Sequence, residues 1–281
     1  MFVEPRRPVA VEELIRGMVV QSGNDACIAL AEAIAGSEEV FAQMMNREAA
    51  RLGMKNTHFM NSTGLPDAQH YSTAQDLYLL AAALIRDFPA EYGQYYSQKE
   101  FRYNNITQPN RNRLLWLDPT VDGVKTGHTE AAGFCLIASS RRGGRRLLSV
   151  LLGSTSEATR AQESQKLLNW GFQFFDSVKL YAGGDAVKSL EVWKGAESTV
   201  RAGFKGDLMI TVPKGEADKL RAELLSQQPL VAPVGQGERV GTLRVTHDGR
   251  PLGEYPVVAL EPVAVAGIFG RAWDTLRLWF K

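Results

Sequence analysis

Asp122-Gly-Val-Lys-Thr-Gly-His-Thr129, followed by the apolar runs Phe134-Cys-Leu-Ile-Ala138 and Leu147-Leu-Ser-Val-Leu-Leu152, is the stretch on which the fold turns. The two runs are joined by Arg141-Arg-Gly-Gly-Arg-Arg146, a glycine turn with charged flanks, which is the pattern of a β-hairpin. Lys125-Thr126-Gly127 stands just ahead of the first run. Alone, the triplet is weak evidence, because an ordinary turn with a solvated lysine carries it equally well. Within a site, Lys125 would supply a fixed cation, Thr126 a hydroxyl donor, and Gly127 room for a substrate backbone along a strand edge.

Upstream the texture is helical. Leu14, Ile15, Met18 and Val19 recur at helical spacing and stop at Gln21-Ser-Gly-Asn24. A second helix is expected over 25–35, closed by Gly36. A third is capped by Ser37, with Val40, Phe41, Met44, Met45 and Leu52 on its apolar face and Gly53 as its stop. Residues 54–71 are turn-rich. Thr73-Ala-Gln-Asp76 then resembles a capping box, opening an Ala/Leu-rich helix that ends at Phe88-Pro89. Downstream of the hairpin a helix is expected over 156–174. After it, short alternating segments at 187–193, 208–212, 240–245 and 255–260 read as a small all-β domain. The segment 217–225 reads as helix or strand.

Composition narrows the function. With 44% hydrophobic and 22% charged residues, the 281-residue chain is neither disordered, collagen-like nor disulfide-stapled. A net charge of +1 argues against broad electrostatic binding to nucleic acid. Cys27 and Cys135 read as free thiols. His58, His70, His128 and His247 show no metal-ligand spacing, so no metal or cofactor is expected. Met1-Phe-Val-Glu-Pro5 does not open a signal peptide, and no apolar run reaches the ~18 residues of a spanning helix.

Ser22-Gly23-Asn24 is the second candidate element. Ser and Asn are good helix caps, and capping alone explains them. Together in a cleft, their hydroxyl and amide could instead relay a proton and hold a substrate carbonyl. Paired with Lys125-Thr126-Gly127, the triplet resembles the Ser-x-Asn and Lys-Thr-Gly elements of penicillin-binding proteins. Gln21-Ser-Gly-Asn-Asp-Ala-Cys27, Phe59-Met-Asn-Ser-Thr-Gly-Leu-Pro-Asp67, His70-Tyr-Ser-Thr-Ala-Gln-Asp76 and Asp122 to Thr129 are all similar to segments of the low-molecular-mass, serine-type D-alanyl-D-alanine carboxypeptidases (peptidase S11).

The resemblance implies an α/β serine β-lactamase/penicillin-binding-protein-like domain over 1–175, incomplete at its N-terminus. A β-sandwich domain would follow over 176–262, and an amphipathic helix over 263–281. It implies removal of the terminal D-alanine from peptidoglycan pentapeptides at the periplasmic face of the inner membrane, with β-lactams as inhibitors of the complete enzyme. It assigns Ser22 to proton relay toward the leaving amine, Asn24 to the substrate amide, and Lys125, Thr126, Gly127 and His128 to the wall that receives the terminal carboxylate. Arg160 and Arg111 resemble arginines near that pocket, and a surface charge is the plainer reading of each. His58 and His70 are expected to hold the 54–71 loop.

The family acylates the serine of a Ser-x-x-Lys element. No serine of this sequence has lysine three positions on; Ser97-Gln-Lys99 and Ser164-Gln-Lys166 have the wrong spacing. The chain is therefore expected to lack nucleophile and base and to be inactive as it stands. Truncation of a longer enzyme accounts for this most simply; a non-catalytic homologue that binds or scaffolds muropeptides is the alternative. A β-lactamase is disfavoured by the β-domain and by the want of an evident deacylating glutamate.

In the tail, Val265, Ile268, Phe269, Ala272, Trp273, Leu276, Trp279 and Phe280 fall on one side of a helical projection, and Arg271, Asp274, Arg277 and Lys281 on the other, with Leu278 the exception. That split fits a helix lying in a membrane surface, which its place at the terminus and the family resemblance favour, over one packed on the β-domain.

Overall fold

The computed structural model describes residues 1–226, 228–267, 271, 273 and 274. It divides into two compact units, Met1–Phe172 and Gln173–Lys281.

The first unit begins with three helices, α1 (Val11–Gln21), α2 (Asn24–Ala35) and α3 (Glu38–Leu52). Their ends are written locally. Ser37 caps α3 by accepting from the amide of Val40, and Gly36 and Gly53 take the left-handed conformation that stops a helix. The apolar face expected for α3 is displaced: Ala42 and Ala49 are its buried residues, while Val40 and Met44 are exposed. Small residues let α3 approach its neighbours closely, which a hydrophobicity pattern underweights.

Helix α4 (Ala74–Asp87) is capped by Thr73, which accepts from Asp76 N. The reciprocal half of the expected capping box is absent. The Asp76 carboxylate instead takes the Asn56 amide and the Thr57 hydroxyl, each at 2.7 Å, and so ties the 54–71 loop to α4. His58 joins that loop to Tyr71 through paired backbone bonds, and the ring of His70 accepts from Met60 N at 3.4 Å. Pro89 does not end the helical region. It starts α5 (Pro89–Tyr95), since its missing N–H costs nothing in a first turn. A hairpin of β1 (Glu100–Tyr103) and β2 (Ile106–Pro109) follows, turning through Asn104 and Asn105 at positive φ, and then the short α6 (Leu114–Leu117).

Strands β3 (Val121–Thr129), β4 (Gly133–Arg142) and β5 (Arg145–Ser154) form an antiparallel sheet in that order. Gly143 and Gly144, both at positive φ, make the two-residue turn read from the sequence. Helix α7 (Glu157–Phe174) places Ala161 and Leu168 in one core with Leu114, Leu115, Val121, Leu136 and Ala138.

The start of β3 is fixed by buried and half-buried polar groups. Tyr92 OH donates to Asp122 at 2.9 Å, Arg146 pairs with the same carboxylate at 2.7 Å, and Asn112 Nδ2 donates to Gly123 O at 3.1 Å. Burial pushes the Tyr92 phenol well above its usual range, so it stays a donor. A Cβ on Gly123 would collide with the Tyr92 hydroxyl, which explains that glycine structurally.

The second unit is all-β after the end of α7. Its strands are β6 (Phe175–Tyr181), β7 (Ala186–Trp193), β8 (Thr199–Gly203), β9 (Leu208–Pro213), β10 (Leu220–Ser226), β11 (Leu230–Val231), β12 (Arg239–His247) and β13 (Arg250–Ala259). Six of them form a sheet in the order β10-β12-β13-β8-β7-β11, and β6 pairs with β9. Both sheets feed one core, including Leu190, Val200, Ile210, Val212, Val240, Val245 and Val257. The ambiguous 217–225 segment is a single 3-10 turn followed by β10, whose pairing with β12 decides for strand. Val263, the first residue assigned to the tail, is 2% exposed in this core, and Val265 bridges to Gly195. Beyond 267 most of the expected amphipathic helix lies outside the described residues. There, Asp274 accepts from the amide of Lys194 at 2.7 Å and Trp273 is exposed.

Candidate active site

Ser22 and Lys125, 103 positions apart in sequence, meet in the first unit. Helix α1 ends in a left-handed turn at Ser22 (φ 59°): Ser22 N–H donates to Met18 O and Gly23 N–H to Gly17 O. This is the paired closure that usually employs glycine. A serine in that conformation carries a cost of about 1 kcal/mol, which its hydroxyl must justify elsewhere. Neither Ser22 nor Asn24 caps α2: Gly23 holds the cap position with no side-chain bond. The capping explanation is thus not realised. Asn24 sits exposed in the first turn of α2.

On β3, alternation separates Lys125 and Gly127 from the buried Val124 and Thr126. The Lys125 ammonium donates to Ser22 Oγ and, at 3.0 Å, to Thr126 O. Burial of that ammonium holds its pKa down at about 8; the nearby Cys27 opposes the shift, and the cationic Arg111 and Arg160 reinforce it. Burial likewise pushes the Cys27 thiol up.

Gly127 is exposed. A Cβ added there would meet nothing closer than Cys135 Cβ at 4.0 Å. Packing within the chain does not require this glycine, in contrast to Gly123.

Arg160 is only 4% exposed. Its guanidinium donates to the backbone carbonyl of Arg111 and to Glu157, both at 3.2 Å, and lies over the Phe134 ring. The structure therefore removes it from the surface, and burial lowers its pKa from the usual value. His128 is exposed, with its ring 3.9 Å from that of Phe134. Arg111 Nε donates to Gln21 O at 3.3 Å. An open cleft of about 610 Å³ begins at Gln21 and Arg111 and continues past Arg113, Trp116 and Glu157. A second, of about 600 Å³, lies between Leu65, Pro66, Tyr71 and the β3–β4 turn at Thr129 and Cys135.

Lys125 thus contacts Ser22, Arg111 contacts the adjoining Gln21, and both Arg111 and Arg160 act electrostatically on Lys125, with Glu157 as the acid paired to Arg160. The arrangement suits an anionic ligand beside a hydroxyl that can pass a proton. No cluster of His, Cys, Asp and Glu suited to a metal occurs among the described residues. Sequence reasoning missed Gln21, Glu157 and Phe134. Only Gln21 left a signal, as the residue before the Ser-x-Asn element.

Comparison with known proteins identifies the family and the fold. The family model for D-alanyl-D-alanine carboxypeptidase matches residues 1–156, and that for the C-terminal domain of penicillin-binding protein 5 matches 175–265. The chain is 43% identical over 282 residues to the D-alanyl-D-alanine carboxypeptidase DacC of Escherichia coli, spanning all of this chain and 70% of that protein. It is 35% identical to DacF of Bacillus subtilis, spanning all of this chain and 73% of that protein. Among solved structures, penicillin binding protein 5 from Haemophilus influenzae superposes with a TM-score of 0.84 at 39% identity, over 94% of this chain and 77% of the other.

Proposed function

The chain belongs to the D-alanyl-D-alanine carboxypeptidase family, and from that premise we propose that it carries the substrate-holding half of a serine-type carboxypeptidase site. Lys125, His128 and Arg111 receive the terminal carboxylate of a peptidoglycan stem peptide ending in D-Ala-D-Ala, and Thr126, buried on the other face of β3, serves through its backbone carbonyl, which accepts from Lys125. Gly127 lets the peptide backbone lie against β3. Asn24 contacts the scissile amide, and in a chain that includes the Ser-x-x-Lys pair Ser22 passes its proton to the departing D-alanine amine and is resupplied by the Lys125 ammonium that donates to it. Arg160 acts from beneath, through the Arg111 carbonyl. The observation that carries this reading is the contact of Lys125 with Ser22, with Arg111 and Arg160 acting on Lys125, beside an open strand position at Gly127.

The sequence holds no Ser-x-x-Lys, so these residues bind substrate without cleaving it; turnover and β-lactam acylation belong to a chain that includes that pair. The substrate places the site on the periplasmic face of the inner membrane. Peripheral attachment through the tail is supported by the split of apolar and charged residues and by exposed Trp273. No described helix is long and apolar enough to cross a membrane.

Gly127→Ala tests the reading. The fold has room for the methyl group, so the thermal midpoint is expected to stay within about 2 °C of the parent. Binding of Nα-acetyl-D-Ala-D-Ala, followed by ligand-observed NMR, is expected to fall at least about tenfold, because the methyl occupies ground the peptide needs. Unchanged binding would remove β3 from the site.

A further inference from the structure

We propose that Gln21 is a positioning residue that fixes the Arg111 guanidinium beside Lys125, so that one turn of chain orients both the proton-relay serine and a carboxylate-binding arginine. The inference rests on the reading of the site given above and extends it to a residue that touches neither substrate nor reacting atoms.

Gln21 is the last residue of α1 and precedes Ser22. Its backbone carbonyl accepts from Arg111 Nε at 3.3 Å. With its side-chain amide oriented to satisfy its neighbours, the oxygen accepts from Arg111 Nη2 at 3.2 Å and from Gln108 Nε2 at 3.1 Å, and the nitrogen donates to Pro109 O at 3.3 Å. Arg111 is therefore gripped twice by one residue, at Nε and at Nη2. A guanidinium has five N–H groups, so three remain for a ligand, in a plane that the two contacts have already set.

The chemistry explains the residue type. The position needs an acceptor for the arginine and a donor for the Pro109 carbonyl, and an amide supplies both. Glutamate has no donor and would neutralise the cation. Leucine offers neither function. An untethered arginine would lose rotamer freedom on binding each ligand, and the tether removes that cost in advance. Arg160 completes the support from the other side by donating to the Arg111 carbonyl.

The test compares Nα-acetyl-D-Ala-D-Ala with its C-terminal amide on the 281-residue chain, by ligand-observed NMR at neutral pH. The parent is expected to bind the free acid at least about tenfold more tightly, the worth of one charge-assisted hydrogen bond. Gln21→Leu is expected to lower that preference about two- to threefold, leaving the share carried by Lys125, with amide binding unchanged, and Gln21→Asn, too short to reach, to behave alike. A Gln21→Leu protein that keeps the parent's preference for the acid would overturn the positioning role alone. Parallel loss of amide binding would show general damage and overturn it too. No acid preference in the parent would defeat the carboxylate site itself, and the inference with it.

Discussion

Incubated with benzylpenicillin, the 281-residue chain is expected to gain no covalent mass. Acyl transfer needs a nucleophile and a base in contact, and the Ser-x-x-Lys that provides them in this family is absent from the sequence. The nucleophiles that are present are poorly suited to replace it. Ser22 accepts a hydrogen bond from a Lys125 that is still largely protonated at neutral pH, so it has a proton donor beside it rather than a base. Cys27 is close enough to influence Lys125, but burial pushes its thiol up, leaving little thiolate. Intact-mass spectrometry after an hour with millimolar penicillin decides the matter. A stable penicilloyl adduct would mean that the chain holds a working nucleophile, and that its inactivity is wrongly inferred.

In a version that carries a Ser-x-x-Lys pair ahead of these residues, Lys125→Ala is expected to lower β-lactam acylation by about ten- to a hundredfold, from the loss of a charged hydrogen bond worth about 1.5–3 kcal/mol. Stability should move differently. The folded-state pKa of Lys125 is depressed to about 8 from an ordinary 10.5, so below pH 8 folding bears the cost of burying the ammonium. Between about 8 and 10.5 the unfolded chain binds more protons than the folded one, and stability therefore rises with pH across that window. Lys125→Ala should abolish that rise without lowering the thermal midpoint at neutral pH. Unchanged acylation with an unchanged midpoint would take Lys125 out of the site.

What could be read from the sequence was what is local or what has a residue-specific chemistry. Ser37 and Thr73 accept bonds three positions along their own chain, and Gly143-Gly144 is a turn complete in two residues. Ser22-Gly-Asn24 and Lys125-Thr-Gly127 were legible as motifs, although nothing short of the fold could show the lysine touching the serine. What stayed hidden depends on distant partners. Asp76 spends its carboxylate on Asn56 and Thr57 rather than on its own helix end. The Ala42/Ala49 face of α3 is selected by its neighbours, β10 by its pairing with β12, and Arg160 by a backbone carbonyl 49 positions away. The hairpin at Asn104-Asn105 was within reach, since asparagine tolerates positive φ, but its flanking strands are short and mostly exposed.

The central claim is that Lys125 and its arginine neighbours form a site for a terminal carboxylate. Its most direct test is the difference in affinity between Nα-acetyl-D-Ala-D-Ala and its amide, followed from pH 6 to pH 10 on the chain as it stands. The preference for the acid should be constant at low pH and fall through a midpoint near 8 as Lys125 loses its proton, with a smaller preference persisting above it through the Arg111 contact. No preference for the acid at any pH, or a preference that is flat to pH 10, would contradict it.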